Sequence, residues 1–160
     1  MAKKVKVKKT LVQQILTKAG ISHTGIQINA LEGEMPQGYE KSQIFKTLAL
    51  LGDKTGPIIG ILPITEHLSE KKLAKISGNK KVSMIPQKDL EKTTGYIHGA
   101  NNPVGIRQKH NYPIFIDQAA LQLNEMIVSA GEVGHSIIIN PQDLASFVKA
   151  EFADILEASN

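Results

Sequence analysis

The chain has 160 residues and a mass of 17.4 kDa, the size of one ordinary domain. Its composition, 41% hydrophobic and 21% charged, is close to that of an average soluble globular protein and argues against a chain that is disordered, a coiled coil or a collagen-like repeat. No run approaches the roughly 18 apolar residues of a membrane span, and the N-terminus is too polar for a signal peptide. Cysteine is absent, which excludes disulfides, Cys-ligated zinc and a cysteine nucleophile. We expect one cytoplasmic domain.

The positive charge is concentrated at the N-terminus. The formal net charge is +4, and removing the five lysines of the first nine residues leaves −1. Arg107 is the only arginine, so dense readout of base edges, as in a DNA-binding protein, is not expected. The pattern predicts a lysine-rich tail over residues 1–9 and a folded domain over residues 10–160. The tail is either a solubilising frayed end or a contact to nucleic-acid phosphates.

The first half of the chain predicts two helical segments and three strands. Thr10 is a candidate N-cap, and the turn Gly52–Gly56 is typical of a β-hairpin. Glu32–Gly38 is rich in Gly, Pro and acidic residues and predicts a loop. In chain order the predicted elements are a helix to residue 18, a strand over 22–31, a helical turn over 40–45, and strands over 47–51 and 57–64.

The second half predicts further helices and strands in irregular order. Ser69 and Asn140 are candidate N-caps, and Gly78 is a candidate C-cap. The predicted elements are a helix over 69–78, a strand over 80–85, a helix over 86–95, strands over 96–98, 113–116, 126–129 and 136–139, and a helix from 140. A loop over 99–105 and a turn over 130–134 connect them. The pattern predicts one α+β domain around a mixed or antiparallel, barrel-like sheet.

The sequence offers no familiar catalytic or metal motif. The five histidines lack metal-ligand spacing, and no phosphate-binding loop or nucleophile elbow occurs. Ser129, His98 and Asp117 form a conceivable triad, but any domain of this size offers such a trio. We therefore expect neither a metal nor a cofactor.

Two features remain as candidates for a site. Lys46 lies where a helical turn is predicted to pass into a strand, so it is either a surface lysine or an ammonium aimed into a cleft. The glycine-rich segment Gly95–Gly105 is either an elaborate turn or a rigid rim whose main chain contacts a ligand. The small-residue turn Ser129–Gly131 is open to the same two interpretations.

These segments together resemble the YbaK/EbsC family, free-standing relatives of the editing insertion of bacterial prolyl-tRNA synthetase. The resemblance covers about residues 10–155. It is carried by Phe45-Lys46-Thr47-Leu48, Thr93-Thr94-Gly95-Tyr96, Gly99-x-x-x-Pro103-x-Gly105, Pro113-Ile114-Phe115-Ile116-Asp117 and Val128-Ser129-Ala130-Gly131.

The resemblance implies a fold and an activity. The fold would be an α+β domain with a mixed, partly barrelled sheet and short flanking helices. The activity would be hydrolysis, in trans, of the ester in mischarged Cys-tRNA(Pro), and also Cys-tRNA(Cys), without metal or cofactor. The substrate thiol would attack its own ester carbonyl. Implied partners are aminoacyl-tRNA(Pro) and prolyl-tRNA synthetase, with no membrane and no DNA.

The resemblance also assigns roles to residues. Lys46 would bind the 3′-terminal phosphate or ribose region, and the main chain of the loop from Gly99 to Pro103 would hold the aminoacyl group near the ester. These three residues are the catalytic candidates. The substrate-binding candidates are Phe45, Thr47, Gly95, Tyr96, Ser129, Ala130 and Gly131.

The sequence departs from the family pattern at three places. Ala130 replaces a glycine, Ser136 stands where an Asp is common, and Ile28 or Asn29 falls near the place of a Tyr. These positions lie where substrate selectivity would be decided. Two alternatives therefore stay open: deacylation of another small aminoacyl-tRNA such as Ala-tRNA(Pro), and a non-catalytic module that binds tRNA or prolyl-tRNA synthetase.

Overall fold

The computed structural model describes residues 9–28 and 34–158. The lysine-rich tail up to residue 8 lies outside the described residues. So do Asn29, the end of the strand predicted over 22–31 and the start of the loop predicted over 32–38. Within the described ranges, no helix has both the length and the apolar character needed to cross a membrane.

The described part of the chain contains five α-helices, eight strands and two short 3-10 turns. The helices are α1 Leu11–Lys18, α2 Glu70–Ser77, α3 Gln87–Thr94, α4 Pro103–Lys109 and α5 Pro141–Val148. The strands are β1 His23–Ile26, β2 Phe45–Gly52, β3 Gly56–Pro63, β4 Val82–Met84, β5 Ile114–Asp117, β6 Met126–Glu132, β7 His135–Ile139 and β8 Glu151–Ala153. The 3-10 turns are Lys41–Gln43 and Gln118–Gln122.

The strands form two sheets. One has the order β4-β2-β3-β5-β8, antiparallel at β4, β2 and β3 and parallel at β3, β5 and β8. The other is antiparallel with the order β1-β7-β6. A parallel bridge between Ile44 and Ile127 links the sheets, which do not close into a barrel. The predicted α+β domain with a mixed sheet and short flanking helices is confirmed.

Hydrophobic side chains cover both faces of the five-stranded sheet. The main core packs β2, β3 and β5 against β6, β7, α1 and α5, and includes Ile61, Val128 and Leu16. A second cluster packs the opposite face under α2, where Leu50 and Leu73 are fully buried. Because β5 is buried on both faces, its first three residues, Ile114, Phe115 and Ile116, are all apolar and show no alternation.

The helix caps follow the predicted chemistry. Thr10 and Gln13 form a capping box, in which each side chain accepts from the other residue's main-chain N–H at 3.3 and 3.0 Å. Ser69 Oγ accepts from the Lys72 amide at 3.1 Å. Gly78 ends α2 with a φ of 78°, a left-handed conformation that glycine adopts without strain.

The segment predicted as a strand at 96–98 and a loop over 99–105 is different in the structure. Residues 96–98 are not a strand, and the predicted loop is cut short because Pro103 begins α4. Asn102 Oδ1 accepts from the Gly105 amide at 2.6 Å and caps this helix, with Pro103 in the first position, where its missing N–H costs nothing. The prediction of a loop over 99–105 was wrong in its second part, because the glycines and the proline are as typical of a loop as of a helix start.

Strand β2 begins two residues earlier than predicted. Its register with β3 starts at Phe45, and the Ile64 amide donates to the Ile44 carbonyl at 2.9 Å, so the helical turn ends before Ile44. Lys46 therefore lies inside a strand and not at its start. Strand β8 was not predicted, because its three residues carry no apolar run and pair in parallel with distant β5.

Candidate active site

A cavity of about 290 Å³ lies between the first half of β2 and the β6–β7 hairpin. It exists because β4 pairs only with Leu50, Leu51 and Gly52, so the earlier residues of β2 face a gap. The volume is close to the lower end of the range of ~300–1,000 Å³ for small-molecule sites. Most of the wall is apolar, from Ile44, Leu48, Ala49, Met84, Ile85, Leu90, Ile127 and Val128.

Five of the predicted site residues line this cavity. Phe45, Lys46 and Thr47 come from β2, Gly99 from the loop after α3, and Ser129 from β6. These segments are far apart in the chain and meet because the Ile44–Ile127 bridge places the start of β2 against β6. The cavity is therefore the place where half of the predicted site residues could act together.

Lys46 is half-buried at the cavity wall. Its ammonium donates to the main-chain carbonyl of Glu66 at 2.9 Å, and no ion pair within the described ranges includes it. Burial lowers the pKa of Lys46 below its ordinary value. A carbonyl orients the ammonium but leaves its charge unbalanced. Lys46 is therefore able to attract an anion or stabilise a developing negative charge.

Thr47 carries a polar atom that the protein leaves unsatisfied. Its hydroxyl oxygen is buried, and no hydrogen-bond partner for it exists among the described residues. Leaving such a group unpaired costs about 1–3 kcal/mol. Thr47 also lines the cavity, although its hydroxyl oxygen itself lies beneath the wall surface.

The loop from His98 to Asn101 forms the opposite rim. Gly99 has a φ of 89°, a conformation that favours glycine, and the buried Asn101 accepts from the Thr94 hydroxyl at 2.7 Å. Asn102 holds the loop from below, donating to the Ala100 carbonyl at 3.0 Å while it caps α4. The rim is therefore fixed by buried side-chain amides.

The other predicted site residues lie outside the cavity wall and support the loop. The set comprises Gly95, Tyr96, Pro103, Ala130 and Gly131. Gly95 ends α3 at a φ of 87°, and Pro103 is buried in the first turn of α4. Ala130 is fully buried in the main core.

The Tyr96 ring packs where only glycine leaves room. A Cβ on Gly105 would overlap the Tyr96 hydroxyl, so the ring occupies the space that this glycine leaves open. The Lys109 ammonium stands 4.4 Å from the ring centroid. These contacts fix the segment behind the rim.

Ser129 and Ser136 face each other in the β6–β7 register and both line the cavity. Ser129 Oγ accepts from the Gly131 amide at 3.1 Å, which shapes the bulge at the end of β6. With serine at position 136, the described wall contains no Asp or Glu. The described wall therefore carries no negative charge, and Lys46 gives it a positive one.

Sequence reasoning missed several wall residues, among them Met84, Asn101 and His135. Met84 reaches the cavity through the pairing of β4 with β2, His135 lies at the start of β7, and Asn101 lies within the glycine-rich segment that was itself a candidate. His98 also lines the cavity, but Asp117 does not: its buried carboxylate accepts from the Ala119 and Ile155 amides at 2.9 and 3.1 Å. A Ser-His-Asp triad is therefore absent from the described site. No cluster of three metal-ligating side chains occurs in residues 9–28 and 34–158.

The fold matches solved structures. A crystal structure described as that of "a putative trans-editing enzyme for prolyl tRNA synthetase" superposes with a TM-score of 0.77, covering 92% of this chain and 95% of that one, at 24% sequence identity. The model of the aminoacyl-tRNA editing domain family matches residues 30–147, which contain nearly the whole cavity wall. The chain belongs to the aminoacyl-tRNA editing domain family.

Curated relatives support the same family. The chain is 46% identical over 118 residues to a protein of Enterococcus faecalis (strain ATCC 700802 / V583) named "Putative Cys-tRNA(Pro)/Cys-tRNA(Cys) deacylase EbsC", covering 74% of this chain and 71% of that protein. It is 28% identical over 105 residues to the proline--tRNA ligase of Limosilactobacillus fermentum (strain NBRC 3956 / LMG 18251), covering 63% of this chain and 18% of the ligase. The resemblance to the YbaK/EbsC family is confirmed.

Proposed function

We propose that the protein is an aminoacyl-tRNA deacylase that releases a wrong amino acid from tRNA in trans, with Cys-tRNA(Pro) as its main substrate and Cys-tRNA(Cys) as a second. The observation that carries this proposal is the unbalanced ammonium of Lys46 beside a small apolar cavity in a chain of this family. The name of the 46% identical relative supports the choice of cysteine. Residues 10–160 form the deacylase domain.

The cavity fits one end of such a substrate. About 290 Å³ accommodates a small aminoacyl group and part of a ribose, not a folded nucleic acid. The wall, neutral apart from Lys46 and two histidines, suits an uncharged side chain. In this arrangement Lys46 holds the terminal phosphate or ribose region. Gly99 and Ser129 form the wall around the aminoacyl group on the side opposite β2.

The chemistry then uses the thiol of the substrate. Its sulfur forms a bond to the ester carbonyl carbon, the bond from that carbon to the ribose oxygen breaks, and the thiol proton ends on the ribose oxygen. The products are deacylated tRNA and a cyclic thioester of cysteine, which water opens to free cysteine. Positioning and charge stabilisation are the protein's contribution, and each can supply several kcal/mol.

A deacylation assay with charged tRNAs tests the proposal. We expect the wild type to release cysteine from Cys-tRNA(Pro), and Lys46→Ala to lower the rate roughly 100-fold, the scale of removing one stabilising donor. Lys41→Ala is the matched control, because Lys41 is exposed in the turn before β2 and does not line the cavity. If the wild type releases amino acid no faster than buffer, the proposal is wrong.

The same assay separates the alternatives. Ser-tRNA(Pro) and Ala-tRNA(Pro) lack the thiol, so thiol attack requires their release to be far slower than that of cysteine. Equal rates would instead favour a deacylase for small amino acids with an external water. Tight binding without release would favour a non-catalytic module. The proposed partnership with prolyl-tRNA synthetase predicts that adding the synthetase raises the preference for tRNA(Pro) over tRNA(Cys).

A further inference from the structure

The main-chain groups of Thr47 point into the cavity. In an antiparallel strand, the N–H and C=O of alternate residues face opposite sides. The Ile44 carbonyl accepts from Ile64 and so faces β3, whereas the Ala49 carbonyl accepts from Ile85 at 3.2 Å on the other side. Thr47 has the same parity as Ala49. Its N–H and C=O therefore face away from β3, towards the open edge.

That edge is unpaired at Thr47 among the described residues. The bridge to Ile127 lies at Ile44, and β4 reaches only as far as Leu50 in its register. Thr47 also carries the buried hydroxyl without a partner. Thr47 thus presents a main-chain donor and a main-chain acceptor to the open edge beside the cavity.

We propose that the aminoacyl group docks on this edge as a strand of one residue. The Thr47 N–H donates to the ester carbonyl oxygen of the substrate, and the α-ammonium of the substrate donates to the Thr47 carbonyl. This is the exchange of two bonds made by residues directly opposite each other in an antiparallel pair, and it is how sheets bind added strands. The inference rests on the proposed deacylase function and extends it to substrate recognition.

The cavity wall supports this assignment. An α-ammonium needs oxygen acceptors, and the described wall has no carboxylate to provide them. Main-chain pairing recognises groups common to all aminoacyl esters, so the apolar wall is left to select the side chain. An N–H fixed at the ester carbonyl also stabilises the negative charge that develops on its oxygen during attack.

The test replaces the Thr47 N–H with an oxygen. Exchanging Thr47 for its α-hydroxy acid analogue turns that amide into an ester, which also weakens the Lys46 carbonyl as an acceptor for β3. We expect the deacylation kcat to fall roughly 100-fold while Tm falls only slightly, because the N–H itself has no protein acceptor to lose. The matched control is the same replacement at Ile58, whose N–H faces Leu50 of β2 and which does not line the cavity. There the Tm should fall, because a ladder hydrogen bond is lost.

A second measurement needs no altered protein. N-acetyl-Cys-tRNA(Pro) keeps the thiol and the ester but lacks the α-ammonium, so wild-type kcat/KM should fall about 10- to 100-fold, the scale of a lost charged hydrogen bond. A wild-type rate for the Thr47 ester variant, or equal cleavage of the acetylated substrate, would overturn the inference while leaving deacylation intact. A wild type that cleaves no aminoacyl-tRNA would refute both proposals.

Discussion

Lys46 shows how strand geometry sets the chemistry of a single residue. The strand holds its stem at the cavity, and a main-chain carbonyl, not a carboxylate, receives its ammonium. Burial without a balancing charge lowers the pKa of Lys46. The same partial desolvation strengthens its attraction for a phosphate or an oxyanion.

This argument predicts a pH dependence for substrate binding. The charged form binds the phosphate or oxyanion, and burial makes Lys46 lose its proton at a lower pH than an ordinary lysine with a pKa of 10.5. As pH rises, binding of an amide-linked aminoacyl-tRNA analogue, which does not hydrolyse, should therefore weaken below pH 10.5. Lys46→Arg keeps its charge, so its binding should persist to higher pH. Identical alkaline limits for the two proteins would refute the assignment.

The residues that sequence reasoning identified share a local signal. Lys46 interrupts an apolar stretch and Gly99 sits in a glycine-rich segment, so both stand out in the printed sequence. Met84 and His135 do not, because only the pairing of β4 with β2 and of β7 with β6 brings them to the wall. Sequence therefore indicates those members of the site that stand out locally, such as Lys46 and Gly99, while the rest of the wall depends on how the strands pair.

At the scale of elements, sequence predicted the helices that begin at a clear N-cap, but it did not predict that α4 begins at Pro103. Thr10, Ser69 and Asn140 each precede a helix and bond its free amides, as their chemistry requires. The Asn102-Pro103 pair has the same signature, but the surrounding glycines are equally typical of a loop. What decides for a helix is burial: Val104 and Ile106 are fully buried and draw α4 against the core.

Removing the Asn102 cap is expected to lower both the stability of the protein and its affinity for substrate. Asn102→Ala removes the cap of α4 and the bond to the Ala100 carbonyl, so we expect a loss of about 1–2 kcal/mol in the free energy of unfolding. The rim loop also loses its anchor, so KM should rise. Asn140→Ala is the control: it removes the α5 cap, with a similar stability cost, far from the wall. Denaturant unfolding and deacylation kinetics measure both. Equal KM values for the Asn102→Ala and Asn140→Ala variants would contradict a role for Asn102 in positioning the rim loop.

At the scale of the whole molecule, the site is the place where the two sheets fail to close. A closed barrel would pair every strand edge, including that of β2. Among the described residues the Ile44–Ile127 bridge joins the sheets, and the short unpaired edge of β2 faces a cavity. Exposed edges invite aggregation, so enclosing this one protects the fold. The same enclosure gives the substrate an ordered set of main-chain groups.

The charge distribution leads to a prediction about tRNA affinity. Five of the positive charges lie in residues 1–9, and the rest of the chain is formally −1, so most attraction for RNA phosphates should come from the tail. Each phosphate contact contributes about 0.7–0.9 to the slope of log K against log salt, so replacing all five lysines with glutamine should reduce the slope by up to about 4. Substitution is preferable to deletion, because the Lys9 carbonyl accepts from Gln14 of α1 at 3.1 Å.

The matched control for the tail variant neutralises lysines of the folded domain. Lys54, Lys80 and Lys81 cluster around Asp53, whose carboxylate accepts from the Lys80 and Lys81 amides. These amides lower the Asp53 pKa and keep it charged, which offsets part of the local positive charge. Glutamine at these three lysines should therefore change the salt slope less than the tail variant does. Filter binding of tRNA(Pro) at several salt concentrations measures both slopes, and an unchanged slope in the tail variant would show that the lysines serve solubility alone.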